Sequence, residues 1–244
     1  MTKTYNDLHK HERDDLLCFD EAEHRYTCNG CELESVTTVV ENCFEKFDAE
    51  YWAGRKAHQL GKTTQEILDE WEAKACQARD LGTMMHDKIE KYYLGIESDS
   101  DDTFDLFLQF ASDYELCPYR TEWRIYYEEY GIAGTLDFLE YRDGRFVIYD
   151  WKRSTKLITK GVVEQFSRFG KKALSPIEHI DDSTFYHYAL QVSIYRYILE
   201  KKYDIIVSEG HLAVFHPDNG CYHLIEIPYL RDEVETVLAC RKKE

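Results

Sequence analysis

The chain has 244 residues, of which 43% are hydrophobic and 14% aromatic, and its formal net charge is −17. This length and composition indicate a globular protein that can bury a substantial core. No apolar run approaches the roughly 20 residues of a membrane-spanning helix and no signal-peptide core follows Met1, so we expect a cytoplasmic protein without a membrane partner. The acidic balance excludes a protein that coats nucleic acid non-specifically, because lysine and arginine provide most of that affinity.

The first 60 residues are predicted to hold short strands followed by short helices. Residues 1 to 15 are polar and are expected to fray. Asn29-Gly30 is a hairpin turn dipeptide, Ser35, Thr37 and Thr38 are candidate caps for a first helix, and Asp48 is expected to start a second. The predicted strands are 16 to 19, 25 to 28 and 32 to 36, and the predicted helices end at Phe44 and His58.

A long helix is predicted next. Thr63 followed by Glu66 is typical of a capping box, and the apolar pattern continues to about Tyr93 with an interruption expected at Gly82. Within this helix His86 and Glu90 are four residues apart, so they share a face. From residue 95 to 119 the chain has seven acids and no lysine or arginine. Within this segment a loop is predicted over 95 to 102 and a helix over 104 to 116, and a strand is predicted after it over 122 to 128.

The stretch from Gly131 to Lys152 predicts a β-hairpin with Asp143-Gly144 as its turn. If Arg142 pairs with Arg145, the same register places Asp137 opposite Asp150, and Lys152 lies on the same face as Asp150. Both faces of the hairpin are rich in apolar residues, which indicates burial. Two buried carboxylates repel each other, and a hard cation such as Mg²⁺ would offset this repulsion. The alternative is a surface hairpin whose Asp150 and Lys152 are simply solvated.

The remaining chain adds a basic segment and a closing set of elements. From Lys152 to Lys172 there are seven basic residues and one acid, which could draw a phosphate backbone towards the hairpin or could be an ordinary solvated loop. Ser183 is expected to cap a helix that carries His187, Gln191 and Tyr195 at four-residue spacing. Two strands, 205 to 215 and 222 to 227, and a helix over 229 to 240 follow.

Three motifs in this order resemble the PD-(D/E)XK nucleases, and in particular their RecB-like, phage-type exonuclease branch. They are Gly82-Thr83-Met84-Met85-His86 with Glu90, then G-T-L-D ending at Asp137 with Asp150-Trp151-Lys152, and then Gln191 with Tyr195. The resemblance covers roughly residues 80 to 200. It implies an α/β fold with a restriction-endonuclease-like core, a central mixed β-sheet flanked by helices. We expect one domain over residues 1–244, with an N-terminal elaboration over about residues 1–60.

The resemblance also implies a Mg²⁺-dependent deoxyribonuclease in which Mn²⁺ can substitute. The metal ligands it implies are Asp137, Asp150, the backbone carbonyl of Trp151 and His86. Lys152 would position or activate the attacking water and Gln191 would orient the substrate. Supporting roles fall to Glu90, Glu122 and Tyr195. Arg153, Lys156 and Lys160 are expected to bind DNA because they belong to the basic segment that follows the hairpin.

An exonuclease of phage or bacterial DNA recombination or repair is the favoured activity, because the relatives most similar in layout are exonucleases. A recombination protein or a second copy of the chain would be its partner. The alternatives are a structure- or sequence-specific endonuclease and a catalytically silent DNA-binding subunit. Some relatives hold an iron–sulfur cluster, but only Cys221 and Cys240 follow Cys117 here, so no such cluster is expected. Zinc at Cys28 and Cys31 is a weaker alternative because a second pair is missing.

Overall fold

The structure is a computed structural model that describes residues 4–241, and its centre is a mixed β-sheet. The strands of this sheet are β1 (Leu17–Asp20), β2 (Arg25–Cys28), β3 (Cys31–Ser35), β4 (Pro118–Tyr127), β5 (Ile132–Arg142), β6 (Arg145–Lys152), β9 (Val207–Val214) and β10 (His223–Glu226). A separate two-stranded sheet is formed by β7 (Ile158–Thr159) and β8 (Val162–Val163). Hydrogen-bonded neighbours run β1-β2-β3-β5-β6-β9-β10, with β4 also paired to β5.

Helices cover the sheet. They are α1 (Tyr5–Leu8), α2 (Val36–Glu41), α3 (Ala49–Leu60), α4 (Thr64–Tyr93), α5 (Asp102–Asp113), α6 (Thr184–Lys202) and α7 (Arg231–Ala239). The expected α/β fold class, with a central mixed sheet flanked by helices, is confirmed. No helix among residues 4–241 is long and apolar enough to span a membrane.

Strand β5 organises the sheet because both of its edges are used. Antiparallel β4 follows one edge over almost the whole length, from Ile132 to Glu140. The other edge is shared: β3 pairs in parallel with residues 132 and 133, and β6 pairs antiparallel from Phe138 to Arg142. Within the described chain, residues 134 to 137 have no strand partner on this second edge. The sheet therefore divides here between β3 and β6. We call residues 134 to 137 of β5 the fork, and Asp137 is its last residue.

Two hydrophobic layers enclose the sheet. On one face α2, α6 and α7 contribute to a large core with side chains such as Leu139, Ile148 and Val192. On the other face the second half of α4 and the aromatic side of α5 pack against Phe138 and Trp151. Burial on both sides explains why the strand pair is apolar on both faces and rules out the solvated surface hairpin.

The long helix α4 is continuous through Gly82, so the predicted interruption is wrong. Its capping box is present, with Thr63 and Glu66 exchanging hydrogen bonds. A single glycine in a helix of this length costs only about 1 kcal/mol, which the rest of the helix tolerates. The first half of α4 packs against α3 through Ala53, Ala57 and Ile67.

Three hairpins turn at residue pairs in which both φ angles are positive. Asn29-Gly30 and Asp143-Gly144 were predicted from their sequence, and Lys160-Gly161 between β7 and β8 was not. Lysine rarely occupies the first position of such a turn, so the sequence signal there is weak.

The described N-terminal residues are attached rather than frayed. The guanidinium group of Arg120, which is 3% exposed, donates to Asn6 Oδ1 at 3.0 Å and to Asp14 Oδ2 at 2.9 Å. A buried guanidinium group requires such partners, and it draws this segment onto β4. Residues 1 to 3 lie outside the described part of the chain.

Candidate active site

Asp137 and Asp150 lie where the central hairpin opens. The predicted register is confirmed from Arg142 paired with Arg145 as far as Phe138 paired with Tyr149. The ladder ends there, so the prediction that Asp137 and Asp150 pair directly across the ladder is wrong. Instead the backbone N–H of Trp151 donates to Asp137 Oδ2 at 2.8 Å. The Asp137 side chain thus takes the place of a strand partner at the fork.

Asp150 is a buried carboxylate with one charged partner. It is 1% exposed, and its Oδ1 has no hydrogen-bond partner among the described residues. Its Oδ2 lies 2.5 Å from Lys152 Nζ in an ion pair. Burial raises the pKa of Asp150 to about 6, although Lys152 acts in the opposite direction. Buried charges require compensation, so these two oxygens are suited to a cation.

Lys152 lies between a carboxylate and an aromatic ring. Its Nζ is 4.6 Å from the centroid of the Tyr188 ring. Burial alone would lower the pKa of Lys152, but the carboxylates of Asp150 and Asp137 raise it above its ordinary value. Lys152 is therefore an ammonium group at neutral pH. It can donate protons to a water molecule or a phosphate oxygen, and it is not a base in this state.

His86 reaches the hairpin from α4. Its Nε2 lies 3.1 Å from the carbonyl oxygen of Trp151, so Nε2 is the donor of that hydrogen bond. The other nitrogen, Nδ1, lies 3.4 Å from Glu122 Oε1 and 3.7 Å from Asp137 Oδ1. Burial lowers the pKa of His86, but Asp137 and Glu122 more than compensate and raise it to about 9. The protonated imidazole then supplies one positive charge among three carboxylates.

Glu122 has an unusual backbone conformation. Its φ is +44°, while its neighbours Thr121 and Trp123 both pair regularly with β5. A left-handed glutamate inside a strand is uncommon and costs about 1–3 kcal/mol, and such residues concentrate at functional sites. Here the side chain contacts His86. The structure therefore brings the predicted supporting residue Glu122 into the site.

The donor set fits a hard divalent cation. The possible ligand atoms of His86, Glu122 and Asp137 all lie within 4.8 Å of one another. Asp150 is outside this group of three, but its Oδ1 has no hydrogen-bond partner among the described residues. Carboxylate oxygens are the ligands that Mg²⁺ and Mn²⁺ prefer, and one imidazole suits Mn²⁺. The Trp151 carbonyl already accepts from His86 and has a second lone pair.

Gln191 and Tyr195 belong to the same site. Both are buried on α6, line the cavity that contains Asp137, and are joined by a hydrogen bond from Gln191 Nε2 to Tyr195 Oη at 3.2 Å. The Tyr195 ring lies against Gly134, where any Cβ atom would come within 2.6 Å of it. Burial raises the pKa of Tyr195 well above its ordinary value, so its hydroxyl stays protonated. Tyr195 therefore holds β5 in place by packing its ring on Gly134, and it holds the Gln191 amide through the hydrogen bond to its hydroxyl.

Other predicted residues lie around this centre. Glu90 lines the same cavity one turn beyond His86 but is outside the group of three ligands, and burial raises its pKa. The Nε of Arg153 donates to Thr103 Oγ1 at 3.1 Å, next to the start of α5. Lys156 and Lys160 are exposed and have no acidic partner among residues 4–241. None of these three basic residues lines the cavity around Asp137.

Tyr188 was missed from the sequence, although its spacing could have indicated it. It lies three residues before Gln191 and therefore on the same side of α6. His187, which was placed on this face, instead contacts Asp182 at 2.9 Å and stacks on Phe44 with a centroid distance of 3.8 Å. Residues three and four positions before Gln191 both lie near its face of the helix, and here it is Tyr188, three positions before, that reaches Lys152.

The chain was also compared with known proteins. No protein-family model matches it, and no curated protein matches it. It is similar to a solved structure described as "Crystal structure of SSO0001", with 15% identity, a TM-score of 0.35, and coverage of 84% of this chain and 72% of that one. A similarity of this size carries no argument about function, so the functional proposal depends on the site.

Proposed function

We propose that this protein is a divalent-metal-dependent deoxyribonuclease, with exonuclease action favoured. One observation carries the proposal: Asp150 is buried, its Oδ2 is paired with the Lys152 ammonium group while its Oδ1 has no hydrogen-bond partner among the described residues, and it belongs to the same strand end as the cluster of His86, Glu122 and Asp137. Three carboxylates, those of Asp137, Asp150 and Glu122, face only two cationic side chains among the described residues, Lys152 and His86. The remaining negative charge in a largely buried site favours a bound cation.

Asp137, Asp150 and the Trp151 carbonyl would hold the cation, with Glu122 close enough to join them. His86 would join them through Nδ1 only after that nitrogen releases its proton, as metal ligation requires. When bound, Mg²⁺ neutralises charge on a scissile phosphate and lowers the pKa of a coordinated water molecule. The Lys152 ammonium group donates to the attacking water or to a phosphate oxygen. Burial of Asp150 and Tyr195 keeps bulk water from the floor of the site. Glu122 and the Trp151 carbonyl hold the His86 ring in one orientation through its two nitrogens.

DNA is the proposed substrate because of the size of the site and of the charge near it. The cavity has a volume of about 1360 Å³, larger than the 300–1,000 Å³ that small-molecule sites usually have. Lys156 and Lys160 lie just beyond the catalytic strand without acidic partners among the described residues. Two exposed cations that follow Lys152 closely in the chain favour a polyanionic chain over a small phosphate ester. The preference for free ends comes from the resemblance to phage-type exonucleases.

Digestion of two DNA substrates tests the proposal. End-labelled linear DNA and covalently closed circular DNA are incubated with Mg²⁺ or Mn²⁺, and the products are followed over time. We expect loss of the linear DNA alone, because an exonuclease needs an end. EDTA and the variant Asp150→Asn should both stop the reaction.

The variant Glu140→Gln is a matched control for Asp150→Asn. Glu140 is also a buried carboxylate of this hairpin, 4% exposed, but it is satisfied by the Cys117 N–H and the Tyr149 hydroxyl. It should retain activity. Nicking of the circular DNA would change the assignment to an endonuclease, and absence of metal-dependent cleavage of both substrates would favour a silent DNA-binding subunit.

A further inference from the structure

Part of the cavity around Asp137 is lined by the N-terminal strands instead of the predicted nuclease core. Phe19 on β1, His24 in the following turn and Tyr26 on β2 contribute three aromatic rings to this lining, together with Arg124 on β4. The Phe19 ring lies 5.2 Å from His24 and 4.5 Å from Tyr26, measured between centroids. We refer to Phe19, His24, Tyr26 and Arg124 as the aromatic wall.

The aromatic wall combines flat rings with a weakly held cation. The Arg124 guanidinium group lies 4.9 Å from the Phe19 centroid. Its acidic partner is Glu21 at 3.5 Å, and the two side chains are 44% and 82% exposed. Exposed ion pairs contribute at most about 1 kcal/mol, so a phosphate group can replace Glu21 with little loss. His24 is exposed and Phe19 is half-buried, so both can meet a ligand.

The aromatic wall is attached to the candidate active site at a defined distance. The hydroxyl groups of Tyr26 and Thr135 are hydrogen-bonded at 2.9 Å, and Thr135 is two residues before Asp137. Two residues of an extended strand such as β5 span about 7 Å, and Arg124 is two residues beyond Glu122 in the chain. Stacked nucleotides of one strand rise by about 3.4 Å each. The wall therefore lies within about two nucleotides of the groups proposed to hold the cation.

We propose that the aromatic wall binds an unpaired nucleobase of the DNA strand that is being cut, about two nucleotides from the scissile phosphate. A nucleobase stacks on aromatic rings and guanidinium groups without sequence preference, and it can do so only when its face is free of the neighbouring base. The proposal rests on the proposed nuclease function and adds that the substrate at this point is single-stranded. A duplex would have to fray before its strand could enter.

Abasic scanning tests this inference directly. Single-stranded oligonucleotides with one abasic site at successive positions from the end are bound to the Asp150→Asn protein in Mg²⁺, and affinity is measured by fluorescence anisotropy. We expect one or two adjacent positions at which the abasic site weakens binding by about 5- to 100-fold, the range of one lost base–aromatic stack. Equal affinity at every position would overturn the proposal, and this result does not depend on a further variant.

Variants of the wall identify the residues that make the stack. Phe19→Leu should weaken binding of the intact oligonucleotide by a similar factor, and it should remove the penalty of the abasic site because the stacking partner is already lost. Phe47→Leu is the matched control, since Phe47 is 66% exposed on the surface and is not part of the cavity lining among residues 4–241. An abasic penalty that persists in Phe19→Leu would exclude Phe19 as the platform.

Arg124 gives an independent measurement if Phe19→Leu is unstable. Arg124→Gln should weaken binding and reduce the slope of log affinity against log salt by about 0.7, as expected for one lost phosphate contact on single-stranded DNA. Failure of the inference alone would leave metal-dependent cleavage by the wild-type protein intact with no position-specific abasic effect. Failure of the proposed function would show as absence of that cleavage, so the two outcomes are distinct.

Discussion

The backbone N–H of Trp151 donates to the carboxylate of Asp137 at 2.8 Å, at the point where β5 and β6 separate. This hydrogen bond occupies Oδ2 of Asp137, and the other oxygen, Oδ1, faces Nδ1 of His86 at 3.7 Å. One side chain therefore closes the end of the strand ladder and also offers a ligand atom. The fork in the sheet and the candidate metal centre are thus parts of the same local structure.

The metal-free protein should lose stability as the pH rises through the titration of Asp150. Burial raises the pKa of this carboxyl to about 6 from an ordinary value of 3.8, so folding favours its protonated form. Its contribution is fully present below about pH 4 and is lost as the pH rises through 6, a loss of roughly 3 kcal/mol. Urea unfolding in EDTA between pH 4 and 8 measures this change. Asp150→Asn cannot titrate here, so a wild-type-minus-variant difference that stays constant with pH would contradict the prediction.

Addition of Mg²⁺ should reverse this loss in the wild-type protein. A ligand that binds only the folded state at 100 times its Kd stabilises it by about 2.7 kcal/mol. Thermal unfolding with and without Mg²⁺ should show this gain at pH 7.5 and a smaller gain at pH 5, where Asp150 holds a proton. Glu140→Gln should keep the gain and Asp150→Asn should lose it. A gain of the same size in Asp150→Asn would place the bound cation elsewhere.

The local features of this fold could be predicted from the sequence, and the contacts between distant segments could not. Asp143-Gly144 determined the register of the hairpin because its turn geometry needs two positive φ angles, and the structure has the same pairs. The early end of the ladder depends on β3, which pairs with β5 from about one hundred residues away. No local pattern contains that information. The left-handed backbone of Glu122 was equally hidden, since it arises within an otherwise regular strand.

The candidate site shows the same division. The motifs identified Asp137, Asp150 and Lys152, but their spacing did not indicate that Asp150 would pair with Lys152 through Oδ2 alone or that His86 would bridge Glu122 and Trp151. These relations depend on how α4 crosses the end of the hairpin. The aromatic wall was missed for a similar reason, because it combines β1, β2 and β4.

Gly134 should tolerate no side chain. A Cβ atom there would lie 2.6 Å from Cε1 of the buried Tyr195 ring, so Gly134→Ala forces ring and strand apart. Such overpacking costs typically 1–3 kcal/mol, and displacement of the fork should also reduce cleavage. Gly82→Ala is the control: it lies in α4 with no atom within 4 Å of the added Cβ, and it should be neutral or up to about 1 kcal/mol more stable. Equal unfolding free energies for the two variants would contradict this packing argument.

Lys152 should be needed for cleavage and not for metal binding. Its ammonium group donates in the proposed reaction, so Lys152→Gln should lose cleavage by at least about 100-fold, the usual lower range for proton-transfer groups. The Mg²⁺-dependent gain in thermal stability should remain, since Asp137 and Asp150 are unchanged. Tyr188→Phe keeps the ring beside Nζ and should retain activity, whereas Tyr188→Ala opens the pocket around Lys152 and should reduce it. Loss of both cleavage and the stability gain in Lys152→Gln would assign this residue to cation binding.

The exposed cations after β6 should contribute to DNA affinity without sequence preference. Lys156 and Lys160 are exposed and have no acidic partner among residues 4–241, whereas Arg153 is engaged with Thr103. Each phosphate contact contributes about 0.9 to the slope of log affinity against log salt on duplex DNA. Lys156→Ala combined with Lys160→Ala should therefore reduce that slope by about 2, measured by anisotropy from 50 to 200 mM salt. Replacement of Lys201, an exposed lysine near the end of α6, should leave the slope unchanged. An unchanged slope in the double variant would place the DNA path on another surface.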